Sequence, residues 1–223
     1  MKTLVNNLAF RHAYQGFFLL LMIAIPNITL GMTTLYNNQT GLTFTKLESW
    51  GVIAINLIIF YLTYLWAKSE GLMTRFRLDL KDAKAIIWGF LTIFLMGVIG
   101  SNLMLLTHTN YHAELQKTLT TTPILPVAIG MISAAFLQEI LFRKWIFTWL
   151  APYSKTAVLV STGLFCLFHM PTNLAYLTLY IGMGLALSMV YQKRENLSAT
   201  ISLHILWNIF TLGATILLMT NPM

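Results

Sequence analysis

The chain has 223 residues, of which 57% are hydrophobic and only 9% charged. Soluble domains carry about a quarter of charged residues, so this composition excludes an ordinary soluble domain and points to a polytopic membrane protein folded as one helical bundle. The net charge of +7 raises nucleic acid as a partner, and the placement of the charges decides against it.

Apolar runs of roughly 20 residues cross a hydrocarbon core of about 30 Å. The first candidate, Gln15–Leu35, follows Lys2 and Arg11. It is longer than the apolar stretch of a signal peptide and no A-x-A-like site follows, so it reads as a retained span. Trp50–Ala67 is the second. The loop Lys68–Lys84 mixes both signs of charge with Leu72, Phe76, Leu78 and Leu80, a pattern that fits an interfacial segment as well as a solvated loop. The third span is Ala85–Leu106. Its Ser101 and Asn102, with Asn56 of the second, read as interhelical hydrogen-bonding groups. Thr107–Thr122 holds His108, His112 and Glu114, but no further partner stands on a defined face, and a surface loop is expected.

Pro123–Leu150, Thr156–Met170, Asn173–Tyr191 and Ser198–Met219 complete the set. The fifth span is short and ends at Pro171. In the sixth, Gly182, Gly184, Ala186 and Ser188 are small residues of the kind that let helices approach closely. The single cysteine, Cys166, excludes an intramolecular disulfide and a cysteine metal cluster, and is expected to pack as a small apolar side chain. The expected fold is all-α: a polytopic membrane helical bundle of about seven transmembrane helices, N-terminus inside and C-terminus outside. Residues 1–122 supply N-terminal helices and loops, and residues 123–219 a core of the last four helices that bears the motifs.

Orientation follows from the basic residues. With the N-terminus cytoplasmic, Lys2, Arg11, Lys68, Arg75, Arg77, Lys81, Lys84, Arg143, Lys144, Lys155, Lys193 and Arg194 fall inside, and only Lys46 and Lys117 outside. This bias is the positive-inside pattern. Orientation and anionic headgroups account for the basic excess, so no nucleic-acid partner is expected. The chain is expected in a membrane, that of a bacterial cell.

Three segments break the apolar rule. In "QEILFR", Glu139 and Arg143 are four residues apart and share a helix face, while Gln138 sits about 100° round. "FCLFH" places Phe165 and His169 four apart, and "HILWN" does the same for His204 and Asn208. Counted from each helix's cytoplasmic end at 1.5 Å per residue, Glu139, His169 and His204 lie roughly 16, 21 and 9 Å deep. All are submerged, which predicts a polar cavity opening toward the cytoplasm. Ionisable groups at such depth mark sites. Two imidazoles, an amide and a carboxylate can activate water for peptide hydrolysis, and His/Glu sets also serve as zinc shells.

These three motifs, in order on successive helices, resemble the CAAX-protease and bacteriocin-processing (CPBP, or Abi) family of intramembrane endopeptidases. The resemblance covers roughly Pro123 to Phe210 and implies water activated by a glutamate and a histidine. On that pattern His169 works with the glutamate, His204 and Asn208 form the oxyanion site, and Arg143 braces its helix through Glu139. No cofactor is certain. Zinc is possible, with His169, His204 and Glu139 as its ligands if it binds. Gln138 stands where the family carries its first glutamate, and a neutral amide holds a water without taking its proton. Either Glu139 acts as base, or the chain binds without cleaving, or it is an inactivated form of an enzyme.

The leading expectation is therefore an endopeptidase acting on a peptide or lipidated protein near the cytoplasmic leaflet, with membrane lipid as its other partner. The alternative is a bacteriocin self-immunity protein that works by binding a bacteriocin or its receptor. A small transporter or proton relay through His169, His204 and Glu139 is a third, from another class.

Overall fold

A computed structural model describes residues 2–73, 76–107 and 113–220, with side chains for the same residues except 2–7, 38, 104–107, 113 and 114. Helices make up the fold and no strand occurs among the described residues. They are α1 (Lys2–Thr40), α2 (Lys46–Ser69), α3 (Leu80–Thr107), α4 (Ala113–Thr121), α5 (Ile124–Trp149), α6 (Ser154–Phe168), α7 (Leu174–Arg194) and α8 (Leu197–Thr220). Six of them, all but α4 and α6, are long and apolar enough to cross a membrane. The fifth expected span, α6, has 15 residues, about 22 Å at 1.5 Å per residue, and falls short of a full crossing. The polytopic helical bundle read from the apolar runs is thus present, as six long helices and one shorter apolar one.

Local sequence sets the helix boundaries. Thr45 and Glu48 form a reciprocal cap at the start of α2: the Glu48 N–H donates to Thr45 Oγ1 at 3.1 Å, and the Thr45 N–H to Glu48 Oε2 at 2.7 Å. Two donors that the helix would leave unpaired are thereby satisfied. The Asn173 side chain caps α7 by accepting from the Tyr176 N–H at 2.9 Å, and α7 ends at Glu195 in the left-handed region, φ 50°. Helix α6 stops at His169 because Met170 turns to φ 43° and Pro171 cannot continue the ladder.

Burial separates the centre of the bundle from its rim. In α5 and α7, 56% of the apolar window is buried, against 17% in α3 and 22% in α1. Helix α5, which carries the first motif, and α7, with its small residues, are therefore central. Phe17, Leu47, Trp88, Leu159 and Leu206 instead turn large apolar surfaces outward, as lipid contact requires. Helix α3 packs along α7, and α5 against α1, α2 and α8. The α3–α7 contact needs small residues: a Cβ at Gly182 would run into the Met96 side chain.

Side-chain bonds fix the two ends of the bundle. At one end, Arg194 of α7 pairs with Asp79 and Asp82 before and within α3, at 3.0 and 2.7 Å. There too Arg11 of α1 pairs with Glu70 after α2, at 3.0 Å, and Trp145 Nε1 donates to the His12 carbonyl at 3.0 Å. At the other end, the Phe44 N–H donates to the Thr121 carbonyl at 2.9 Å.

Two details depart from the expectations. The segment 107–122, expected as a loop, forms the nine-residue helix α4 from Ala113 to Thr121. His108, His112 and the Glu114 side chain lie outside the described residues, as does Arg75 of the orientation argument. Asn56 does bond across helices, accepting from Ser133 Oγ at 2.7 Å. Asn102, by contrast, is exposed and donates to Val98 of its own helix at 2.8 Å, so an amide near a helix rim satisfies itself on the preceding turn. Between α2 and α3, Leu72 is buried while Phe76, Leu78 and Leu80 face outward.

Candidate active site

The site is built where α5 meets α6, α7 and α8. After Glu139 the helix widens to π geometry over Ile140–Trp145. The Ile146 N–H bonds to Leu141 and Arg143 carbonyls, so the Phe142 carbonyl loses the partner an α-helix would give it. Ser161 of α6 supplies a replacement, its hydroxyl donating to Phe142 O at 2.7 Å. Ser188 of α7 donates in turn to Ser161 Oγ at 3.1 Å. Single π turns inside α-helices are frequent at functional sites, and this one is held open by a buried hydroxyl chain.

Glu139 and Arg143 are both fully buried and lie 3.1 Å apart, Oε1 to Nη1. The same Oε1 lies 2.8 Å from Nδ1 of His204. Arg143 also donates from Nη2 to the Gly184 carbonyl at 3.3 Å, and its guanidinium stacks over the Phe165 ring at 4.6 Å. The carboxylate requires Nδ1 of His204 to carry the proton, which leaves Nε2 with its lone pair.

His169 reaches the same tautomer by another route. Its Nδ1 lies 2.8 Å from the Phe165 carbonyl, which can only accept, so Nε2 is again the free acceptor. The imidazole stacks on Tyr180 at 4.5 Å between centroids. The Phe165 ring sits beside both imidazoles, 4.4 Å from His169 and 5.8 Å from His204.

A cavity of about 370 Å³ has Gln138, His169, His204 and Asn208 in its wall. Gln138 Oε1 is buried with no hydrogen-bond partner. Asn208 donates one amide hydrogen to the Met131 carbonyl at 3.0 Å, leaving the second for a guest. Glu139 and Arg143 are not in the wall. They stand behind His204, so the turn of about 100° between neighbouring helix positions carries Gln138 onto the cavity and Glu139 away from it.

The lining places the cavity along the length of the bundle. The cavity wall includes Leu115 and Thr118 of α4, Pro26 of α1, Tyr176 of α7 and Thr211 of α8, all in the halves away from the Arg194–Asp82 end. Toward the Arg194–Asp82 end, Arg143, Phe142, Phe165 and Leu203 are none more than 2% exposed. Counting residues from the basic end measures depth, but packing decides which side of a buried group stays open. The cavity lies toward the α4 end.

The donor set does not fit a metal. Among the described residues no group of three His, Cys, Asp or Glu side chains is placed to hold an ion. Of the three candidate ligands, Glu139 Oε1 is committed to His204 Nδ1 and faces a guanidinium, which opposes a second cation there. The sequence does not single out Tyr180 or Ser161, and it marks Ser188 only as a small residue. The four-residue spacing of Tyr176 and Tyr180 is the one signal for the former, and hydroxyls that answer a π turn leave none.

The fold and the site define a class: an integral membrane helical bundle with a submerged pocket that has two histidines in its wall. Comparison with known proteins agrees. Residues 120–210 match the family model of type II CAAX prenyl endopeptidases, Rce1-like. The chain is 28% identical to the UPF0177 protein YvdC of Lactococcus lactis over 214 residues, 92% of this chain and 80% of that protein. It is 29% identical to the "Putative membrane peptidase YdiL" of Bacillus subtilis over 137 residues, 56% of this chain and 54% of that protein. No solved structure matches. Over residues 120–210 the chain is thus similar to type II CAAX prenyl endopeptidases.

Proposed function

We propose that the chain is a metal-independent intramembrane peptidase in which His204, oriented by Glu139, activates water. The observation that carries this reading is the 2.8 Å contact between Glu139 Oε1 and His204 Nδ1, with the opposite edge of the imidazole on the cavity. The carboxylate holds the productive tautomer and stabilises the imidazolium that forms when Nε2 takes a proton from water. The water oxygen adds to the scissile carbonyl carbon, and the proton then passes to the departing amine as the C–N bond breaks. His169 offers a second Nε2 on the same wall and holds the water against the carbonyl. The free N–H of Asn208 is the donor for the oxyanion. Arg143 and Glu139 act through His204 and are positioning residues. Gln138 binds water through its unpaired Oε1 and lowers the rate below that of a glutamate. The substrate is a peptide or a lipid-anchored protein.

The assay is cleavage of a panel of labelled peptides in detergent by the wild type, Gln138→Glu and His204→Ala. Cleavage raised by Gln138→Glu and abolished by His204→Ala supports the peptidase. A second reading rests on the neutral amide at position 138: the chain binds a bacteriocin or its receptor without cleaving it. Cells that survive a bacteriocin through this chain, while none of the variants cleaves any peptide, would favour that reading.

A further inference from the structure

We propose that the cleft between the start of α3 and the end of α7 binds one anionic phospholipid from the leaflet at the basic end of the bundle. The cleft holds about 590 Å³ and shares no residue with the wall of the histidine cavity. Two helical stripes make it. Lys81, Lys84, Trp88 and Thr92 recur every three or four positions along α3, and Ala186, Met189 and Lys193 do so along α7. Such spacing puts each set on one helix face. The two helices run antiparallel here: Asp82 meets Arg194 at 2.7 Å, and further in a Cβ on Gly89 would press on the Val190 side chain. Both stripes therefore carry their lysines at the same end and their uncharged members deeper.

Charge and polarity grade along this cleft as they do along a lipid. Arg194 is already paired with Asp79 and Asp82. Among the described residues none of Lys81, Lys84 and Lys193 has an ion-pair partner. Three unpaired ammonium groups on one rim attract a phosphate diester. Just inside them Trp88 is 71% exposed, at the headgroup level where tryptophan collects. Deeper still, Thr92 gives its hydroxyl hydrogen to the Trp88 carbonyl at 2.9 Å, and Gly89, Ala186 and Val190 form a buried floor. Lys81 and Thr92 are eleven positions apart, roughly 16 Å at 1.5 Å per residue. A free phosphate would occupy the rim alone. A phospholipid fills the rim with its headgroup and the remainder with an acyl chain. Basic residues gather on the cytoplasmic side, the leaflet whose anionic lipids draw such clusters.

Native mass spectrometry of the full chain in detergent tests the site, with phosphatidylglycerol and phosphatidylcholine of the same acyl chains as probes. Expected is one retained phosphatidylglycerol under conditions that strip phosphatidylcholine. A lysine beside an anionic headgroup contributes about a fivefold gain, so Lys84→Gln/Lys193→Gln should bind phosphatidylglycerol about 25-fold more weakly. Lys68→Gln/Lys155→Gln removes the same charge outside the cleft and should bind as the wild type does. A ligand held only by the folded state also raises its unfolding midpoint. Phosphatidylglycerol should therefore raise the midpoint of the wild type and of the second pair, but not of the first. Equal weakening in the two pairs would reduce the attraction to general charge and overturn the site, as would equal retention of the two lipids. Displacement of the lipid by inorganic phosphate would assign the rim to a free anion and overturn the lipid. Neither readout requires cleavage, so the result stands apart from the peptidase reading.

Discussion

His204 and Glu139, 65 positions apart in the chain, meet through Nδ1 and Oε1 at 2.8 Å in a site closed to solvent. The contact joins α8 to α5, and the same carboxylate oxygen holds Arg143 at 3.1 Å. One glutamate thus sets the tautomer of a cavity histidine and balances a buried guanidinium. These two duties can be pulled apart by mutation.

Glu139→Gln keeps the shape and an oxygen for His204 but removes the charge that Arg143 needs. Breaking one side of a buried pair costs about 3–5 kcal/mol, whereas replacing both members with apolar groups of similar volume is often neutral. Thermal unfolding in detergent should show a large loss for Glu139→Gln and a recovery of most of it in the double variant Glu139→Met/Arg143→Met. A wild-type midpoint in Glu139→Gln would mean that the pair is not dry.

Gln138→Glu should raise peptidase activity. A carboxylate on the cavity wall, near both imidazoles, accepts a proton that the amide cannot, and a positioned general base contributes about 10²–10⁴-fold. The measurement is kcat on a labelled peptide at neutral pH, with the Gln138→Glu/His204→Ala double variant as the control. An unchanged kcat would place the water away from position 138.

The sequence made the helices and the polar residues of the site legible for a simple reason. Apolar runs of membrane length stand out, and polar groups inside them are rare enough to name, which singles out Gln138, Glu139, Arg143, His169, His204 and Asn208. The spacing of Glu139 and Arg143 predicted their ion pair. Which member faces the cavity was not legible. That depends on how α5 is rotated against α8, and on a π turn that no local pattern announces. Depth along a helix comes from counting, but the burial of Phe142, Phe165 and Leu203 comes from three helices packing together. Helix α4 is hard to read because nine mostly polar residues between long apolar runs look like a loop.

Ser161→Ala tests the support of the π turn. The Phe142 carbonyl lacks its usual Ile146 partner and depends on the Ser161 hydroxyl at 2.7 Å. An unsatisfied buried acceptor costs about 1–3 kcal/mol, so the unfolding midpoint should drop. Ser161→Thr keeps the hydroxyl and should lose less. Equal losses in the two variants would point to crowding between α6 and α5 rather than to the hydrogen bond.

Asn208→Ala addresses the oxyanion, in the Gln138→Glu background if the wild type turns over too slowly. One N–H of Asn208 is tied to the Met131 carbonyl at 3.0 Å, which fixes the amide plane and leaves the second N–H to the cavity. A donor held this way gains strength as negative charge develops on the carbonyl oxygen, and removing such a donor costs about 10²–10³ in kcat. Because the ground-state carbonyl bonds it only weakly, KM should change little, the mark of an interaction made in the transition state. Asn208→Asp keeps the shape but sets a carboxylate against the developing oxyanion, so its kcat should fall at least as far. Were KM to rise with kcat unchanged in Asn208→Ala, the residue would be holding the bound peptide, and the oxyanion donor would have to be sought in the backbone of the substrate strand or in His169.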